Sequence, residues 1–558
     1  MQTLSNKTDV RNDAASPAST SKSARGIALA AAVAFAAILL CWFKFDHHVP
    51  DADEAGHILN SLSYAALFRH PKLFNADFWH KMITVNQFYP PVAYISSGFL
   101  KLLLGPGRTV DIINLAFFNL ILSLSIYGTT RLLTGSVVTG LLAMVFVNLY
   151  PETAYLSHMF WLDYPLTAMV SLGLFALVYW SKKQTWARTL ACGAILGLAC
   201  MTKQIAATYL VLPGAYFFAV TLKDFIGSHS ARSKSLGPLL QLVVIALLTA
   251  VIGLPWVQAN AAATQALMSD CAAHVGKVTV WQAFPKNLAY YAAALPKMMT
   301  PYLLALFGCA ALFLLVKLAR REAGAANIYP VLLSMVGGIM MACTLTWIFP
   351  RPQYAAPALV ASAIVTAYMT GQMLESRKRG YVASAVTLVA AAALQFISLQ
   401  FTPYPLSGAA LANLGPAMGG TRENPLASLD WGQEWSLRFV NDCDKGHQVY
   451  LNILSNSPHI NAHTFELLAH ELKVNVTPTT SRVYSITGDR TEFSPKQALY
   501  YQWYLLNTNN DGHPFEDAQS QANSLHLEDF VRNSGKFALM AEKRLPDMSI
   551  MYLYRQKP

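Results

Sequence analysis

Long apolar runs alternate with short polar segments through most of this chain, and the alternation stops near residue 400. Eleven of the runs read as membrane-crossing helices, at roughly 26–45, 109–131, 136–150, 164–181, 188–202, 205–222, 237–257, 298–317, 327–349, 353–374 and 380–400. A twelfth run, Val92 to Leu104, is a decoy. Its thirteen residues rise only about 20 Å as a helix, short of the ~30 Å hydrocarbon core. Charge supplies an independent test, because basic residues collect in cytoplasmic loops. If 92–104 does not cross, the clusters Lys182/Lys183/Arg188, Lys223/Arg232/Lys234, Lys317/Arg320/Arg321 and Arg377/Lys378/Arg379 all fall on the cytoplasmic side; if it crosses, all four fall outside. The segment is therefore expected as an amphipathic helix on the outer membrane surface. The same parity makes 189–222, interrupted by Thr202-Lys203-Gln204, two short crossings with Lys203 at the outer turn.

The pattern divides the chain into a disordered cytoplasmic tail (1–25), an all-α polytopic membrane domain with external juxtamembrane helices (26–400) and a small extracytoplasmic α/β domain (401–558). The first span ends in bulky Cys41-Trp42-Phe43-Lys44-Phe45 and is expected to be uncleaved. In the last domain the alternation predicts strands at 447–454, 473–476, 537–541 and 550–554, and a helix at 462–472. An odd span count puts that domain outside, in an envelope such as that of a bacterial inner membrane.

Composition narrows the class. With 54% hydrophobic and 13% charged residues among 558, most of the chain belongs in lipid. The net charge of +11 sits in loops between spans, so it marks topology and not nucleic-acid binding. Five of the seven cysteines lie in apolar runs as small hydrophobes; Cys271 and Cys443 fall in predicted external loops, and their pairing is open.

The chemistry gathers in the external loops. Asp51-Ala52-Asp53-Glu54-Ala55-Gly56-His57 opens a polar loop, and Asp51 three residues before Glu54 has capping-box spacing ahead of an apolar stripe. Asp53 and Glu54 then either complement the helix dipole or do acid–base work. The second external loop, 151–165, holds Glu152, His158 and Asp163 and no basic residue, with Asp163 at the mouth of a span. An ionisable group there is costly to bury and is expected to serve a purpose. Lys203 and Arg351 are cations on the side where positive charge is sparse; they either snorkel to headgroups or hold an anion beside the carboxylates.

Asp53-Glu54-x-x-His57, Tyr89-Pro90-Pro91 before a short helix ending Leu104-Gly105, Leu162-Asp163-Tyr164-Pro165-Leu166 and Gly197-Leu-Ala-Cys-Met-Thr202-Lys203 together resemble the protein O-mannosyltransferases and lipid A aminoarabinose transferases. The resemblance covers about residues 26–400. It implies the C-type glycosyltransferase membrane fold and a polyprenyl-phosphate sugar donor. Position by position, it makes Asp53 the first-loop acidic residue that acts as base or helps place the acceptor and any metal, Asp163 the second-loop aspartate and Lys203 the lysine close to the donor phosphate. With the reading of the loops, the expected catalytic carboxylates are Asp53, Glu54 and Asp163, a divalent metal ion at Asp53 and Asp163 is open, and the expected substrate contacts are Lys203, Arg351, Tyr89, His57 and His158. This chain departs from the family in Tyr89 where Lys is common, His57 where Tyr is common and Gln204 where Gly follows Thr-Lys. The expected activity is sugar transfer, with inversion, to a lipid, glycan or protein acceptor at the extracytoplasmic face. A transporter or flippase is the alternative; it would show inverted repeats and mid-membrane polar groups.

Overall fold

The computed structural model describes residues 17–46, 48–227, 236–275, 279–322, 324–344, 350–376, 378–401, 429–445, 447–455, 457, 459–480, 494–508 and 518–558. Among them, eight helices are long and apolar enough to cross a membrane: Lys22–Trp42, Arg108–Thr134, Asp163–Lys182, Ala206–Ile226, Gly237–Ala266, Pro301–Ala319, Ala325–Thr344 and Arg379–Ile397. The chain is thus a multi-pass membrane protein. The other three expected spans are helices too, but shorter: Val137–Leu149 with 13 residues, Trp186–Cys200 with 15 and Ala358–Glu375 with 18. At the helical rise they reach only about 20 to 27 Å, and their neighbours cover much of their surface. Several expected boundaries move. The first helix starts at Pro17 inside the expected tail, and the span predicted to end at 257 continues as one helix to Val275. The proposed Cys271–Cys443 pair lies outside the described side chains.

The decoy run is the helix Val92–Leu104, and its two faces explain why its charge and apolarity coexist. Tyr94, Ser97 and Lys101 are buried while Phe99, Leu102, Leu103 and Leu104 are exposed. A helix with its polar side turned to protein and its apolar side turned out suits the membrane boundary. It packs tightly on the first-loop helix, Ala52–Arg69: a Cβ at Gly98 would sit 2.6 Å from the Tyr64 Cβ, so only glycine permits this approach. Lys101 pairs with Asp111 at 2.8 Å, both side chains fully buried, which ties the surface helix to the Arg108–Thr134 span.

In the C-terminal part five strands, β1 (Val449–Ile453), β2 (Val476–Thr479), β3 (Trp503–Asn507), β4 (Phe537–Arg544) and β5 (Ile550–Gln556), form one sheet in the order β2-β1-β3-β5-β4. The first three are parallel, and β5 pairs antiparallel with β3 and β4. The strand expected at 473–476 begins where that expectation ended, because Lys473 takes a left-handed conformation that closes the preceding helix. That helix, Ala462–Leu472, lies on the first-loop helix of the membrane domain. Thr464 Oγ1 donates to the Pro50 carbonyl at 3.1 Å, and Leu467 is buried in the membrane-domain core.

Candidate active site

Asp51 caps the first-loop helix as its spacing predicts, its carboxylate accepting from the Glu54 N–H at 2.7 Å. Helical geometry then turns neighbouring residues to different sides. Asp53 points outward, its side chain 61% exposed, and meets Arg351 Nη1 at 3.2 Å. Glu54 points inward and is fully buried. Its carboxylate meets His48 Nε2 at 3.0 Å and Arg108 at 3.4 Å, and accepts from the Phe160 N–H at 3.2 Å. Burial opposes its charge, yet Arg108 and His48 hold it down to about 2. Asp51 also accepts from the Trp161 indole at 3.3 Å; burial and the adjacent Glu54 charge push it up to about 6. Asp51 and Glu54 therefore clamp the second external loop against the first. Glu54, expected among the catalytic carboxylates, is buried among these partners.

The clamped loop is largely buried. Pro151–Leu156 forms a short helix, and Thr153 through Phe160 are buried apart from Tyr155. His158 turns inward, its ring stacked 3.5 Å from that of Trp42, in a pocket it shares with Asn119, Asn148 and Tyr164. Its neighbours come from the helices carrying Trp42, Asn119, Asn148 and Tyr164 and do not include Lys203 or Arg351. The stack is available because Trp42 ends the first span at the same depth.

Asp163, at the start of the Asp163–Lys182 helix, does reach the site. Lys203 Nζ stands 2.7 Å from Asp163 Oδ1, and the two residues are 6% and 5% exposed. Two aromatic rings flank the ammonium: Tyr354 with its centroid at 4.9 Å and Tyr89 at 5.6 Å. The turn carrying Lys203 is fixed by two bonds to the segment carrying Tyr89. Gln204 Nε2 donates to the Phe88 carbonyl at 2.6 Å, and the Val92 N–H donates to the Met201 carbonyl at 3.0 Å. Gln204, a departure from the family pattern, thus supplies a brace a glycine cannot. Tyr354 sits in the turn after Arg351, where Tyr209 OH donates to its carbonyl at 2.6 Å.

His57 joins this group. One turn beyond Asp53, it shares a 2.8 Å hydrogen bond with Tyr94 OH and meets the Tyr89 ring edge-on at 5.5 Å. Burial, partly offset by the Asp53 charge, pushes it down to about 4, so it is neutral at neutral pH. Asp53, Asp163 and Lys203 all lie close enough for their charges to act on it. Asp53, His57, Tyr89, Asp163, Lys203 and Arg351, all singled out in the sequence, stand together as one cluster of side chains. Sequence reasoning missed Tyr354 and Arg108. Each carried a signal: Tyr354 is three residues from Arg351, and Arg108 is a cation at the outer end of a span.

Beside this cluster the interior is apolar. Cys200 and Ala207, which bracket the Lys203 turn, line a cavity of about 480 Å³ that continues along Val211, Phe218, Leu242 and Ile245 between the helices. As for metal, Asp53 and Asp163 each face a cation. Among the described residues no group of three His, Cys, Asp or Glu side chains gathers as a metal cage.

Residues 89–256, which hold Tyr89, Asp163 and Lys203, match the family model described as dolichyl-phosphate-mannose-protein mannosyltransferase. No curated protein matches the sequence. Among solved structures, ArnT from Cupriavidus metallidurans bound to undecaprenyl phosphate is similar with a TM-score of 0.57 at 12% identity, over 96% of this chain and 98% of that one. The same protein in its apo state gives 0.51 at 15% identity, over 93% and 97%. At such identities the likeness is one of fold: the chain has the C-type glycosyltransferase membrane fold that its motifs resemble.

Proposed function

We propose that this chain is an integral-membrane glycosyltransferase that moves a sugar from a polyprenyl-phosphate-linked donor to a lipid, glycan or protein acceptor at the extracytoplasmic face. The observation that carries the reading is the clustering of two cation–carboxylate pairs, Lys203–Asp163 and Arg351–Asp53, with an apolar cavity lined by Cys200 and Ala207 on either side of the Lys203 turn. A lipid-linked sugar phosphate needs both surroundings, an apolar channel for its chain and fixed cations for its phosphate. ArnT, whose fold this chain shares, is seen bound to undecaprenyl phosphate, which supports a donor of that class.

In this reading the phosphate docks at Lys203 and Arg351. Asp53, the exposed carboxylate, faces the arriving acceptor and takes the proton if the attacking group is a hydroxyl. The acceptor oxygen bonds to the anomeric carbon from the face opposite the phosphate, inverting it, while the bond to the phosphate oxygen breaks and its electron pair leaves with polyprenyl phosphate. Fixed cations stabilise the charge that develops there, and Glu54 holds the two loops in register.

The test is transfer of label from a radiolabelled polyprenyl-phosphate sugar in membranes containing the wild-type chain or Asp53→Asn. The expected outcome is loss of transfer in the variant at equal protein and equal thermal midpoint; equal transfer by both removes the assignment. For the orientation, cysteines introduced at positions 100 and 182 should be labelled from the outside and from the cytoplasm respectively. External labelling at 182 reverses the topology.

A further inference from the structure

Lys203 is a buried cation whose partner raises a problem for the proposed reaction. Among the described residues Asp163 is the one carboxylate within ion-pair distance of it, and water hardly reaches either group. A desolvated ammonium needs an anion at close range, and so does a desolvated phosphate a cation. If the phosphate comes to Lys203 while Asp163 stays, two negative charges crowd a single ammonium in a medium that screens them poorly. We propose that Asp163 is a stand-in for the donor phosphate: it neutralises Lys203 while the site is empty and yields to the phosphate, so that donor binding is an exchange of anions on one buried ammonium.

The surroundings suit such an exchange. The rings of Tyr89 and Tyr354 face the ammonium and hold it in place whichever anion is present. Asp163 stands in the first turn of its helix, where the unpaired N–H groups and the dipole favour a carboxylate that has lost its cation. The rim pair differs: Arg351 and Asp53 are solvent-accessible, so water screens their separation and no comparable competition arises. The exchange also imposes an order, because the second carboxylate becomes free for hydroxyl groups only once the phosphate is seated.

This inference rests on the polyprenyl-phosphate reading, and the experiment separates the two. Binding of undecaprenyl phosphate to the full-length protein in detergent is measured for wild type, Asp163→Asn, Asp163→Glu and Lys203→Gln, together with the thermal shift the lipid produces. Removing the competing charge should tighten binding in Asp163→Asn about tenfold or more, although transfer falls. It should also enlarge the thermal shift, because the lipid then supplies the missing anion. Asp163→Glu restores the competitor and should return the affinity toward wild type; Lys203→Gln should lose binding. Asp163→Ser is the second neutral variant if Asp163→Asn does not fold. Unchanged or weaker binding by the neutral variants, with wild type binding normally, overturns the exchange and leaves the donor reading standing. Absence of binding by wild type overturns both.

Discussion

Two charged clusters begin one residue apart on the same helix and have opposite fates. At Glu54 the cluster is closed: Asp46, His48, Glu54 and Arg108 bind one another with side chains at most 19% exposed. At Asp53 it is open, a solvent-accessible pair with Arg351 beside Lys203, Asp163 and the tyrosines. The closed cluster turns its charges on one another and holds loops together. The open one keeps acceptor and donor capacity for a substrate. Residue type does not separate them, since both are carboxylates facing arginine; burial and access do.

The contrast is broken most severely at the open cluster. Asp53→Asn should lower transfer by about 10²- to 10⁴-fold, the range for a lost general base, while stability changes by no more than about 1 kcal/mol, as for an exposed ion pair. Steady-state transfer and thermal unfolding of the same preparation check this. Arg108→Met should do the reverse. It strands buried carboxylates and should cost about 3–5 kcal/mol of stability, read as a lowered unfolding midpoint, with activity per folded molecule largely kept.

Acid sharpens the comparison. The closed cluster depresses Glu54 from 4.5 to about 2, so the folded state favours its ionised form. That stabilisation is complete above about pH 4.5 and drains away as the pH falls toward 2. The difference in unfolding midpoint between wild type and Glu54→Gln should therefore shrink as the pH falls from about 4.5 toward 2. The smallest effect is expected at the brace: Gln204→Ala removes one hydrogen bond to Phe88, worth about 0.5–1.5 kcal/mol. A modest rise in the donor's KM with an unchanged kcat would show that the brace places Lys203 and takes no part in the chemistry.

Much of this was legible in the sequence because it is written in local patterns. Hydropathy runs gave helices at all eleven expected spans, and the run 92–104 is a separate short helix as expected. Asp51 before Glu54 gave the cap, and Lys203, Arg351, Asp53 and Asp163, picked out by their expected sidedness, form two ion pairs. Central β3 was missed because Trp503–Asn507 is buried on both faces, which erases the alternation that exposes a strand.

The sequence by itself determined which segments form the apolar helices of a multi-pass membrane protein, because length and apolarity act within a few turns of chain. Only the tertiary structure decided which carboxylates are free to react. Glu54 and His158 carry the same local signature as Asp53 and His57. Their surroundings diverge because Arg108 and Trp42, brought in from other helices, fill the space around Glu54 and His158, whereas Asp53 stays solvent-accessible and His57 lies beside Tyr89.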